Sequence, residues 1–97
     1  MKEDQFEKDL DRLAKSFLKI RNIDEAKNYV KDLFSKTELK TMVLRYNIAT
    51  MLHKGIPYVE IERETGASSA TIARISESLK YGNDGLRLIM ERMQRAR

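Results

Sequence analysis

The run Tyr58-Val-Glu-Ile-Glu-Arg-Glu-Thr-Gly-Ala-Ser-Ser-Ala-Thr-Ile-Ala-Arg-Ile-Ser-Glu-Ser-Leu79 decides how this chain folds. It reads as two short helices on either side of Gly66. A bend at that point needs a residue at ease with positive φ, and glycine has no Cβ to clash. Ile61 before the bend and Ala67, Ile72 and Ile75 after it are the packing positions. They would hold the two helices at the fixed angle of a helix-turn-helix. On a helical wheel Ile72, Ile75 and Leu79 share the inner face, with Ala70, Ala73, Arg74 and Glu77 roughly opposite. The outer face begins with small side chains, so the end of the helix can approach DNA closely. Ser68, Ser69 and Thr71 place hydroxyls there for phosphates or base edges. Free backbone N–H groups at the helix start add an attraction for phosphate. The competing reading is an ordinary αα-corner in a bundle. The short first helix, the glycine bend and the Ser-Ser-Ala-Thr-Ile start favour DNA binding. Base-reading power is sparse, because the outer face holds no Asn or Gln and only one arginine.

Outward from this motif the chain reads as helix throughout. Pro57 suits the first position of the helix 57–65. Lys54-Gly55 stops the helix before it, which Ser35-Lys-Thr-Glu38 opens as a capping box. That helix carries Leu39, Met42, Val43, Tyr46, Ile48, Ala49, Met51 and Leu52, a face wide enough to predict burial on more than one side. Asn22, with Glu25 three residues on, starts a short helix with Ala26, Tyr29, Val30 and Leu33 on one side. Phe6, Leu10, Leu13, Phe17 and Ile20 recur at spacings of three and four, predicting an amphipathic helix over 4–20. Tyr81-Gly-Asn-Asp84 is a turn, and a last helix, 84–95, carries Leu86, Ile89, Met90 and Met93. The expectation is an all-α chain of six helices. It forms one domain over 1–97, with the helix-turn-helix at about 57–80 and a reading helix at 69–80.

Composition narrows the function. The 97 residues are 41% hydrophobic and 35% charged, with one proline and four glycines. That charged share is well above the usual ~25%. Such a chain is too short for several domains and too polar to span a membrane. Cysteine is absent and His53 is the one histidine, so neither a thiolate site nor a zinc site can be built, and no metal is expected. His53 ends a helix, where it would meet the helix terminus or water. No nucleophile–base pair or phosphate-cradling glycine loop supports an enzyme. The start MKEDQFEKDL has acids where a signal peptide needs bases and an apolar run, which points to the cytoplasm. Residues 1–34 hold eight bases and eight acids, whereas 69–97 hold six bases (Arg74, Lys80, Arg87, Arg92, Arg95, Arg97) against three acids. The positive potential gathers in the last third, as for a polyanion partner or simply a basic surface. Arg92, Arg95 and Arg97 read as a solvated helix end.

Residues 66–80, Gly-Ala-Ser-Ser-Ala-Thr-Ile-Ala-Arg-Ile-Ser-Glu-Ser-Leu-Lys, resemble the reading head of the Trp repressor-like family, its YerC/YecD-type members above all. The run from Leu33 to Met93 follows the same order of helices. Ser35-x-x-Glu38, Arg45, Gly55 and the Ser-Leu-Lys ending all have counterparts. The resemblance implies an intertwined homodimer, with the first, second, third and last helices crossing between chains. Two reading helices would then enter successive major grooves of a near-palindromic operator. It also implies that Ser68, Ser69, Ala70, Thr71 and Ala73 face bases or phosphates and that Lys80 lies near the backbone. Arg74 reads as a phosphate contact or as a solvated helix residue, and Tyr58 as a DNA contact or as packing. Tyr58 and Val59 stand where the family has polar or basic residues, and Glu62 stands where it has a basic one. Those departures imply a different operator and weaker phosphate anchoring.

In that family tryptophan lies between two arginines, and Arg45 and Arg74 occupy the matching positions. Ser78 matches the hydroxyl near the ligand's amino group. The glycine that leaves room for the indole is Ile75 here. Displacing an isoleucine costs ~1–3 kcal/mol of overpacking. The resemblance therefore implies an effector pocket of Arg45, Arg74, Ile75 and Ser78 in which Ile75 argues against free tryptophan. Either the pocket is filled by the protein itself or a smaller, unknown effector binds. Arg45 reads alternatively as a surface or interface salt bridge. The alternative function is a helical protein-protein interaction module that does not bind DNA.

Overall fold

The computed structural model describes residues 2–95, which form six helices and, among the described residues, no strand. These are α1 (Glu3–Phe17), α2 (Ile23–Leu33), α3 (Lys36–His53), α4 (Tyr58–Thr65), α5 (Ser69–Tyr81) and α6 (Gly85–Arg95). Arg97 lies outside the described residues. None of the helices described is long and apolar enough to cross a membrane. The chain divides into two compact units, residues 1–39 and 40–97.

In the first unit α1 is amphipathic but buries none of its own residues. Phe6, Leu10, Leu13 and Phe17 along its apolar stripe all stay exposed. The helix stops at Phe17, three residues before the expected Ile20. The N–H groups of Leu18, Lys19 and Ile20 each bond back to the carbonyl three residues earlier, which tightens the chain into a turn. The Phe17 and Tyr29 rings meet edge to face with centroids 5.3 Å apart, and the Ser16 and Tyr29 hydroxyls are hydrogen-bonded. At the start of α2 the Asn22 side chain accepts the Glu25 N–H at 2.9 Å, as expected of the cap. The Glu25 carboxylate reaches back one residue further, accepting the Arg21 N–H. The Ser35–Glu38 capping box closes in both directions. Glu38 N–H donates to the Ser35 hydroxyl at 3.1 Å, and Ser35 N–H donates to the Glu38 carboxylate at 2.8 Å.

The second unit holds the core. Ile48 and Ala49 of α3, Ile61 of α4, Ile72 and Ile75 of α5 and Met90 of α6 are buried together, with Leu52, Ile56, Leu79 and Leu86 packed around them. α3 ends in a Schellman motif. Gly55 takes φ 79°, its N–H bonds to the Leu52 carbonyl, and the Ile56 N–H bonds to that of Met51. Pro57 does not open α4 from within, as expected, but caps it. Its ψ of 149° is extended, while its carbonyl accepts the first helical bonds from Glu60 and Ile61. α6 begins at Gly85 rather than at 84, because Asp84 takes φ 66° and its carboxylate pairs with Arg87 at 2.7 Å. His53 meets neither the helix terminus nor water alone. Its Nε2 lies 3.0 Å from Gln94 Oε1 and so links the ends of α3 and α6. The broad face of α3 is only partly covered within the chain, since Met42, Val43 and Tyr46 are each 40% exposed or more. Every ion pair found among the described residues spans three or four positions, so none joins one helix to another.

Two outcomes follow. Ile61→Ala empties a fully buried site in a core drawn from four helices and should cost ~2–5 kcal/mol in a denaturant titration. Glu38 is held below the ordinary carboxylate range by the Ser35 backbone N–H and then by the Ser35 side chain. A lowered folded-state pKa contributes stability above the unfolded value and loses it as pH falls through the folded one. Glu38→Gln should therefore lower the thermal midpoint near neutral pH, and the difference from the parent should vanish in acid.

Candidate nucleic-acid interface

The turn between α4 and α5 is made by three residues. Thr65 donates its hydroxyl to the Ile61 carbonyl at 2.6 Å and accepts the Ala67 N–H at 3.2 Å. Gly66 takes φ 74° and sends its N–H to the Glu62 carbonyl. A Cβ at Gly66 would meet nothing within 4 Å, so the backbone angle, not crowding, demands glycine there. Ser68 then caps α5, its hydroxyl accepting the Thr71 N–H at 3.1 Å. Ala67 packs inward against the core.

Beyond the cap, α5 divides as the wheel anticipates. Ile72 and Ile75 are buried and Leu79 is half-buried, while Ser69, Ala70, Ala73, Arg74, Glu77 and Lys80 are exposed. Ser76, which carried no expectation, is also buried at 6% exposure. Its small side chain widens the inward face of a helix that packs against both α4 and α6. The tip differs from expectation in one respect. Ser68 does not offer its hydroxyl outward, because it also donates to Thr71 Oγ1 at 3.0 Å. The outward hydroxyl protons at this end therefore belong to Thr71 and the exposed Ser69. On α4, Tyr58 is 40% and Val59 71% exposed, so the beginning of that helix is an open, largely apolar shoulder. Three carboxylates (Glu60, Glu62, Glu64) against Arg63 make α4 acidic.

Arg45, Arg74, Ile75 and Ser78 come together. They line one open cavity of about 310 Å³, with Met42, Tyr46 and Leu86 completing it. The sequence reading missed these last three, although Met42 lies one turn before both Arg45 and Tyr46 on the same helix. Arg45 forms no salt bridge among the described residues, so the surface ion pair expected of it is not found within the chain. Among the described residues no three His, Cys, Asp or Glu side chains gather as metal ligands would.

The geometry has relatives. The chain is 38% identical over 87 residues to the uncharacterised protein YerC of Bacillus subtilis, covering 90% of this chain and 84% of that one. Its fold matches the crystal structure of a TrpR-like protein from Eubacterium eligens with a TM-score of 0.81, at 34% identity over 90% of each chain. A Staphylococcus aureus structure matches at TM-score 0.79 and 38% identity, covering 88% of this chain and 85% of that one. A model of the Trp repressor protein family spans residues 8–94, nearly the whole chain. The bent helix pair with its slim exposed tip thus places this chain in the Trp repressor family, a family of DNA-binding regulators.

Proposed function

We propose that this protein is a homodimeric, sequence-specific DNA-binding repressor that reads the major groove with α5. One observation carries the reading. α5 buries Ile72 and Ile75 and turns Ser69, Ala70 and Ala73 outward at the end that follows a rigid glycine bend. Alanine-sized side chains let backbone amides and the Ser69 and Thr71 hydroxyls come within hydrogen-bonding reach of a duplex. Arg74 and Lys80 supply positive charge on the same helix. The reaction is non-covalent, and no residue is assigned a catalytic role.

The dimer accounts for the apolar surface that one chain leaves open. Phe6, Leu10 and Leu13 of α1, Met42 and Val43 of α3, and Ile89 and Met93 of α6 are all at least 40% exposed. Exposed apolar side chains in such number mark association faces. Twofold pairing would supply the second reading helix that a near-palindromic operator needs. We assign free tryptophan no role as effector, because Ile75 is 5% exposed and anchored in the core where the ring would need space. The second reading, a protein-docking module, draws on the same apolar faces.

Salt separates the two. Affinity for a duplex selected from a random pool should fall steeply with added salt, by ~0.9 in log–log slope for each phosphate neutralised. Docking through apolar faces should respond little. Ala70→Glu sets a carboxylate against the phosphates and should weaken duplex binding by ~1–3 kcal/mol per half-site, the scale of one mismatched base pair. The dimer mass should stay the same in sedimentation. Retained binding would show that the reading face is elsewhere. Calorimetric titration with L-tryptophan should give no micromolar binding, and saturation in that range would reverse the assignment made from Ile75.

A further inference from the structure

We propose that Val59 makes this protein a reader of thymine, recognised through its C5-methyl group and not through hydrogen bonds to base edges. The proposal rests on the DNA-binding reading above and adds to it a base and the residue that selects it.

The reading end of α5 lacks the side chains that usually tell bases apart. Adenine is ordinarily paired by Asn or Gln, guanine by Arg or Lys, and cytosine by a carboxylate. Ser69–Tyr81 holds no Asn or Gln, and its charged residues Arg74, Glu77 and Lys80 all come after the first turn. That first turn exposes Ser69 and Ala70, with Ala73 exposed one turn on. A serine or threonine hydroxyl both donates and accepts, so it suits more than one base. Hydrogen bonding therefore gives this end little power to choose a sequence.

Apolar surface gives it more. Val59 is 71% and Tyr58 40% exposed in the first turn of α4, a helix that packs against α5. Val59 stands two positions before the fully buried Ile61, and so on the side of α4 away from the core. In a helix-turn-helix the first helix crosses the backbone while the second enters the major groove, which brings α4 to the same duplex as the tip of α5. The later part of α4 resists that approach, because Glu62 and Glu64 would meet phosphates. Glu60 is already paired with Arg63 at 3.4 Å. Contact therefore falls to the first turn, where the free N–H groups of a helix start favour phosphate. A valine neither donates nor accepts a hydrogen bond. The apolar group that a base presents in the major groove is the C5-methyl of thymine, and that is what Val59 can distinguish. Ala70 and Ala73 continue the same kind of contact along α5.

The test uses the full-length protein and a duplex selected from a random pool. Each thymine of the half-site is replaced in turn by deoxyuridine, which keeps the base pair and removes only the methyl. At one thymine or more, affinity should fall about fourfold, the worth of one buried methyl, and about sixteenfold when both half-sites are changed. In Val59→Ala the loss at that thymine should shrink to about twofold or less, as a double-mutant cycle reads it. The thermal midpoint should stay in place, because the side chain removed is exposed. Three results overturn the proposal: a selected half-site with no thymine on either strand, thymines that all tolerate deoxyuridine, or a loss undiminished in Val59→Ala. A pool that yields no duplex sinks the DNA-binding reading and this proposal with it. A duplex that binds and ignores the missing methyl sinks only this proposal.

Discussion

The contact of Ile61 with Ile72 and Ile75 across the Gly66 bend is the constraint on which the rest of the second unit depends. These three isoleucines, with Ile48 and Ala49 behind them and Met90 to one side, are nearly the whole of the fully buried core. A core so small leaves little redundancy, and each methyl group buried there is worth ~0.8 kcal/mol. The orientation of α5 follows directly. With Ile72 and Ile75 inward, helical geometry sends Ala70, Ala73 and Arg74 outward. The exposed face of α5 is thus the back of its packing face, and the two cannot vary independently.

α5 also forms one wall of the cavity shared with α3, and the two surfaces meet at Arg74.

Local signals in the chain were legible because their partners are close in sequence. The Ser35–Glu38 box, the Asn22 cap, the Gly55 and Gly66 stops and the inner stripe of α5 all rest on successive partners at most five apart. What stayed hidden depends on distant or competing partners. His53 and Gln94 lie 41 positions apart and nothing local links them. The sequence places the Ser68 hydroxyl at the start of α5, but does not show that its proton goes to Thr71 and not outward. Pro57 fits the first helical position by its fixed φ, yet ψ decides the matter and sequence leaves ψ free. The joining of Arg45 with Arg74, Ile75 and Ser78 came from family likeness. Residue spacing alone could not have foretold it, since Arg45 is on a different helix.

The ion pairs found among the described residues stay within single helical turns, and the helices of the core are joined by apolar contact instead. Dissolved electrolyte screens surface charges over about 8–10 Å at moderate strength and leaves such oily joints largely untouched. Changing the buffer's ions should therefore act on what the protein holds far more than on the protein's own architecture.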